Sequence, residues 1–193
     1  EEDAASGHIN AHMQSKSMQD IASISSLCND ASLEYKDGIF GRIGEPTEAA
    51  LKVLVEKMGV YNIIKSQEPH TMARQSNDYW KNMYEKLAVL EFNRDRKSMS
   101  VLVRSNTYQA SNRLFVKGAA EMVAARCNRI QLENGRVVSI TSSMREEINN
   151  KIREMQSEPL RCLALAFKEA KELPGKLASV STAEAATALP ELQ

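Results

Sequence analysis

Two dipeptides fix the kind of sheet this chain can build: Asp37-Gly38 and Asn134-Gly135. Each pair suits a two-residue hairpin turn, which needs positive φ at both central positions and so favours Asp or Asn followed by Gly. Short apolar runs flank both turns, residues 33–35 and 39–43 around the first, 130–132 and 136–140 around the second. Strands joined this tightly run antiparallel.

Helical patterns lie between the strands. Ile21, Ile24 and Leu27 fall at helical spacing over residues 18–27, and Cys28-Asn29-Asp30 ends that helix. A second helix opens at Pro46, carries Glu48 near its positive end and stops at Gly59, with Leu51, Leu54, Val55 and Met58 as its apolar stripe. A third follows Pro69 over residues 73–86 and holds Trp80 as core. Short and long helices are expected over 119–126 and 142–156, the latter with Met144, Ile148, Ile152 and Met155 on one face. Further strands are expected over 88–92, 98–104 and 113–116, with a polar connection over 105–112. Residues 160–167 are almost continuously apolar and read as a buried strand. The fold class is therefore α+β, a mainly antiparallel twisted sheet flanked by helical hairpins.

A length of 193 residues fits one large domain with a sizeable core. Residues 1–14 read as a loose segment, 15–172 as the folded domain and 173–193 as an Ala-, Ser- and Thr-rich tail. The formal net charge is zero, so nothing global argues for nucleic acid or an anionic membrane, and any basic site must be local. No apolar run approaches the roughly 18 residues that span a bilayer, and no signal peptide is visible. Cys28, Cys127 and Cys162 are odd in number and far apart, which points to thiols rather than a disulfide framework or zinc ligands. His8, His12 and His70 lack metal-ligand spacing. Gly38, Gly41 and Gly44 recur every third residue, which matches neither the dinucleotide nor the Walker fingerprint.

Two stretches carry the chemistry. Leu90-Glu-Phe-Asn-Arg-Asp-Arg-Lys-Ser-Met-Ser100 leads from an apolar run through Phe92 into Arg94, Arg96 and Lys97. Leu114-Phe-Val-Lys-Gly-Ala-Ala-Glu121 ends a second apolar run at Lys117 and Gly118. An aromatic at a strand end beside fixed cations suits a flat polyanion such as a nucleotide, the ring stacking on a base and the cations meeting phosphate. Gly118 would let backbone approach the ligand closely. The plain alternative is a core Phe followed by a solvated turn. Likewise Glu45 and Glu48 read as helix caps, and Arg96 reads as structural, paired with a carboxylate.

The wording of these stretches resembles the nucleotide-binding domain of P-type cation-transporting ATPases, and of the sarco/endoplasmic reticulum calcium pumps in particular. Leu27-Cys-Asn-Asp30, Gly44-Glu-Pro-Thr-Glu-Ala-Ala-Leu51 and Leu160-Arg-Cys-Leu-Ala-Leu-Ala166 agree as well, all in family order over about residues 20–168. The resemblance implies that fold and an ATP ligand. Phe92 would stack on adenine, and Lys117 would line the adenine pocket with Gly118 at close range. Arg94 and Lys97 would meet the phosphates. Arg161 would lie near the ribose and phosphates, with Leu163 packing below and Cys162 a small buried residue between them. Glu48 would face the adenine amino group and ribose, with Thr47 supporting that wall. Ala120 stands where family members commonly have proline.

The resemblance further implies partners: the phosphorylation and actuator domains of a full pump on the cytosolic face of the endoplasmic reticulum. The phosphorylated aspartate and most Mg2+ ligands would lie on the phosphorylation domain. The chain reads as an excised module that binds ATP or ADP without turnover, touching neither nucleic acid nor membrane directly. Two other readings stay open: an interaction domain with basic strand ends, and a freestanding small kinase or hydrolase.

Overall fold

The computed structural model describes residues 11–106, 111–158 and 160–169. Two compact units are distinguished. One takes the described residues up to Lys81 with Glu133–Gly135, and the other takes the described residues of Asn82–Leu132 and those from Arg136 onward.

The first unit opens with a 3-10 turn at Ala11–Gln14, whose Met13 is buried. Helix α1 (Lys16–Leu27) follows and ends as expected at Cys28, whose N–H donates to the Ile24 carbonyl. Strands β1 (Ser32–Lys36) and β2 (Ile39–Ile43) form the expected hairpin, registered from Ser32 opposite Ile43 to Lys36 opposite Ile39. Asp37 and Gly38 take φ of 52° and 81°, the pair of positive values that the turn demands.

Helix α2 (Pro46–Met58) starts on its proline and stops at Gly59, φ 70°, as read from the sequence. Its buried face follows the expected stripe in part. Val55 is buried and Leu51 and Met58 are half-buried, whereas Leu54 is 39% exposed and Ala49, Lys52 and Glu56 are buried with Val55. Hydrogen bonding accounts for the difference, because a buried charge is tolerated only when bonded. Lys52 Nζ donates to the Ser26 carbonyl of α1. The Glu56 carboxylate accepts the Ser76 N–H at 3.0 Å, the Asn77 N–H at 2.9 Å and Asn77 Nδ2 at 2.7 Å.

Those amides open α4 (Gln75–Met83), so Glu56 satisfies N–H groups that a helix start leaves unpaired. The long helix expected over 73–86 is instead α3 (Pro69–Met72), a break, and α4. Glu68 caps α3 by accepting the His70 and Thr71 N–H groups. Bonding to Thr71 is the main cause holding its carboxyl down at about 2. Trp80 is buried, as expected.

In the second unit the chain turns to strand at Tyr84, inside the expected helix, because Tyr84, Glu85 and Lys86 pair with Ser105, Arg104 and Val103. Cross-strand pairing outweighs local helix preference here. Strands β3 (Tyr84–Asn93), β4 (Ser98–Ser105), β5 (Asn112–Ala119) and β8 (Leu163–Glu169) form a sheet in the order β3-β4-β5-β8, antiparallel throughout. Between β5 and β8 the chain makes α5 (Ala120–Arg126), the short hairpin β6 (Arg129–Gln131) with β7 (Val137–Ser139), and α6 (Ser142–Ser157).

Met99, Val101, Leu102, Val103 and Phe115 of the central strands are the best-buried side chains of this unit. The register of β5 on β8 is marked by Arg113, which faces Glu169 at 3.2 Å and lies 4.4 Å above the Phe167 ring. One expectation is corrected. Strand β8 is half-buried rather than buried, and among the described residues it stands at the end of the strand order. On the expected α6 face Ile152 is buried, Met144 and Ile148 are half-buried and Met155 is 45% exposed. The α+β class and the mainly antiparallel sheet are as read.

Replacing Glu56 with alanine strands buried donors, each costing about 1–3 kcal/mol when left unsatisfied. Urea unfolding of Glu56→Ala is expected to show a loss of at least ~3 kcal/mol, and a loss below ~1 kcal/mol would refute the capping role of this carboxylate.

Candidate functional site

The strand registers bring the two chemistry-bearing stretches together. Asn93 pairs with Ser98, Ser98 with Gly118, and Gly118 with Ala164. These four residues form one transverse row across the sheet. Phe92, Lys97, Lys117 and Leu163 therefore sit at one end of it, with Arg161 and Cys162 entering from the chain before β8.

Phe92 is not core. Alternation along β3 buries Ala88 and Leu90 and would carry Phe92 to the same face. A bulge intervenes: Leu90 to Asn93 spans three residues on β3 against two, Ser100 to Ser98, on β4. Bulges re-aim the residues that follow them. Phe92 stands 60% exposed, next to the exposed Asn93, Arg94 and Asp95.

The basic turn is held from within. Asn93 Oδ1 accepts the Asp95 N–H at 2.8 Å and the Arg96 N–H at 3.1 Å. Arg96 folds back and donates to the Glu91 carbonyl at 3.0 Å. It is structural, as expected, but its partner is a backbone carbonyl and not a carboxylate. Arg126 of α5 donates to Ser98 Oγ at 2.9 Å and to the Arg96 carbonyl at 3.4 Å. Lys97 takes φ of 46°, an uncommon conformation for a residue with a β-carbon. Arg94 and Lys97 remain exposed.

Packing by itself calls for glycine at position 118. A β-carbon there would lie 2.4 Å from the Lys97 carbonyl oxygen, 2.7 Å from Ser98 Cβ and 2.9 Å from Ser98 Cα, so the neighbouring strand fills the space that glycine leaves. The Lys97 carbonyl also accepts the Ala119 N–H at 2.9 Å. Lys117 is buried, on the sheet face it shares with Phe115 and Arg113. Leu163 is half-buried opposite Ala119, and Arg161 is exposed. Cys162 is half-buried, not the buried residue expected.

Thr47 and Glu48 belong to the other unit, in the first turn of α2. Glu48 stands in the first turn of α2, the acidic place expected for it, whereas the capping reading fails for Glu45. Glu45 occupies the N-cap without a side-chain cap bond. Glu48 Oε2 accepts the Asp30 N–H at 3.3 Å, and the Glu48 carbonyl accepts Asn29 Nδ2 at 2.8 Å. Gly44, φ 95°, precedes them because a β-carbon there would meet Ala31 Cα at 3.1 Å. Sequence reasoning missed Asn29, Asn93 and Arg126. An Asn opening a turn is a readable signal, whereas the reach of Arg126 across 28 residues is not.

A Phe92→Ala variant should unfold within about 0.5 kcal/mol of the parent, since substitutions at exposed positions cost little. Gly118→Ala should lose about 1–3 kcal/mol to overpacking. Thermal melts of the two variants check both, and a Phe92 variant that fails to fold would return this ring to the core.

The described residues hold no helix long and apolar enough to cross a membrane. A family model for the P-type ATPase cytoplasmic domain N matches residues 17–189. The chain is 44% identical, over 162 residues and 79% of its length, to calcium-transporting ATPase 2, endoplasmic reticulum-type, of Arabidopsis thaliana. It is 42% identical over 165 residues to calcium-transporting ATPase 3, endoplasmic reticulum-type, of the same plant, a match covering 80% of this chain. These matches cover only 15% and 16% of the two relatives' own lengths. With most of its length matched by the family model, the chain belongs to the P-type ATPase cytoplasmic N domains.

Proposed function

We propose that this chain is the ATP-binding N domain of an endoplasmic reticulum-type calcium-transporting ATPase, exposed on the cytosolic side of that membrane. It holds the adenosine end of Mg-ATP and delivers the γ-phosphate to an aspartate on a separate phosphorylation domain. The observation that carries this reading is Phe92, an apolar ring 60% exposed at a strand end, in the same corner of the sheet as Arg94, Lys97 and Lys117. An exposed ring costs the free protein something, and a stacked base covers it.

Phe92 stacks on adenine, Lys117 lines the base pocket beside Gly118, and Arg94 and Lys97 meet the phosphates. Arg161 lies by the ribose and phosphates with Cys162 and Leu163 below. Glu48 faces the adenine edge, supported by Thr47. In this reading the Mg2+ ligands belong mainly to the phosphorylation domain. Actuator and phosphorylation domains of the same pump complete the catalytic unit.

Stacking is worth about 1–3 kcal/mol per base, and exposed ion pairs add about 0–1 kcal/mol each. Contacts this few, set against the cost of immobilising the ligand, point to weak binding, and the dissociation constant for ATP is expected between ~1 mM and a few tens of micromolar. Phe92→Ala should weaken ATP, ADP and AMP alike, by roughly five- to 150-fold. Lys117→Ala should also weaken AMP and ATP equally, whereas Arg94→Ala should weaken ATP more than AMP. Calorimetric titration separates these cases, and equal losses for every nucleotide in every variant would overturn the division into base and phosphate ends.

Phosphoryl transfer needs a nucleophile, which this reading assigns to the phosphorylation domain. The 193-residue chain should therefore release no phosphate from ATP above a protein-free control. Steady turnover that vanishes in Lys117→Ala would favour a freestanding enzyme instead.

A further inference from the structure

Asn29 is 3% exposed, and its side chain meets three separate segments. Nδ2 donates to the Ser25 carbonyl of α1 at 3.0 Å and to the Glu48 carbonyl in the first turn of α2 at 2.8 Å. Oδ1 accepts the Ala31 N–H at 2.9 Å, at the approach to β1. Both amide hydrogens and the carbonyl oxygen are thus engaged, and no other residue type offers two donors and an acceptor in so short a side chain. The next residue completes the arrangement, because the Asp30 N–H donates to Glu48 Oε2 at 3.3 Å. One dipeptide therefore fixes Glu48 twice, by its backbone and by its carboxylate.

The bond from Asp30 comes from outside the helix, so it fixes the direction of the carboxylate as well as the helix start. A carboxylate offers about four acceptor sites, more than this one amide uses.

We propose that Asn29 and the Asp30 amide are positioning elements that aim Glu48 at the exocyclic amino group of adenine and so set the preference for an amino over an oxo purine. The inference rests on Glu48 being the adenine-facing residue. A carboxylate accepts from the 6-amino group of ATP and repels the 6-oxo group of inosine triphosphate. Positional freedom in Glu48 weakens the first contact and relieves the second, so loss of Asn29 should appear in the ratio of the two affinities.

The test measures ATP and inosine triphosphate binding to the 193-residue chain and to two variants, Glu48→Gln and Asn29→Ala. The parent should prefer ATP by about tenfold, the scale of one hydrogen bond to a charged group. Glu48→Gln should bring the ratio close to one, and Asn29→Ala should reduce it at least threefold, on the same scale. A purely structural loss at Asn29 would lower both affinities together and leave the ratio unchanged. A ratio unchanged in Asn29→Ala but collapsed in Glu48→Gln overturns the positioning role and spares the role of Glu48. A ratio unchanged in Glu48→Gln removes the premise and the proposal together.

Should Asn29→Ala fail to fold, the parent gives the answer through the Asp30 amide resonance. It should shift on titration with ATP more than with inosine triphosphate, and this difference should vanish in Glu48→Gln. Equal shifts with both nucleotides, or none with either, would overturn the proposal.

Discussion

The carbonyl of Lys97 fills the space that a side chain at Gly118 would need, and it accepts the Ala119 N–H at 2.9 Å. This contact between a turn and a neighbouring strand fixes where the basic residues stand. With β4 pressed on β5 here, Lys97 and Lys117 are held a fixed distance apart by backbone, and backbone does not relax as side chains do. The left-handed φ of Lys97 is tolerated because that same carbonyl is engaged. Asn93 and Arg126 then brace the remainder of the turn. Of the turn's three cations, Arg94, Arg96 and Lys97, the second is occupied in holding the turn by donating to the Glu91 carbonyl.

The first unit relies on a different device. Its helices meet through bonded charges and amides as well as through apolar area. Lys52 donates to α1, Glu56 caps α4, and Asn29 links α1, β1 and α2. Such contacts are directional, so they fix rotation and register more sharply than apolar packing does. The helix that carries Thr47 and Glu48 is accordingly set by a lattice of hydrogen bonds.

Where the sequence was legible, a local cause sufficed. Asp37-Gly38 and Asn134-Gly135 announced their hairpins, Pro46 and Gly59 bounded α2, and the change of polarity after Phe92 marked the end of β3 to within one residue, although β5 runs on to Ala119, past the expected end at Val116. It was illegible where a partner distant in the chain decides. Leu54 loses its expected place to Lys52 and Glu56 because their partners, Ser26, Ser76 and Asn77, lie outside the helix. Tyr84–Lys86 leave a plausible helix for pairing with Val103–Ser105. Strand β8 is as apolar as a central strand but has one ladder neighbour among the described residues. Cys28-Asn29-Asp30 was visible as a helix stop, while its hold on Glu48, 18 and 19 residues on, needed coordinates.

The bulge in β3 makes pairing there matter more than composition. Leu90 to Asn93 takes three steps against two, Ser100 to Ser98, so Glu91 and Phe92 share the side opposite Leu90. Removing Glu91 would let the ladder run regularly, and the ring, then following Leu90 directly, would keep that side, since faces alternate with every residue. A change that straightened the ladder at full length would instead carry the ring to the side of Leu90. Among descendants of this sequence, the outward ring should thus tolerate a shortened segment better than a full-length one paired without the bulge.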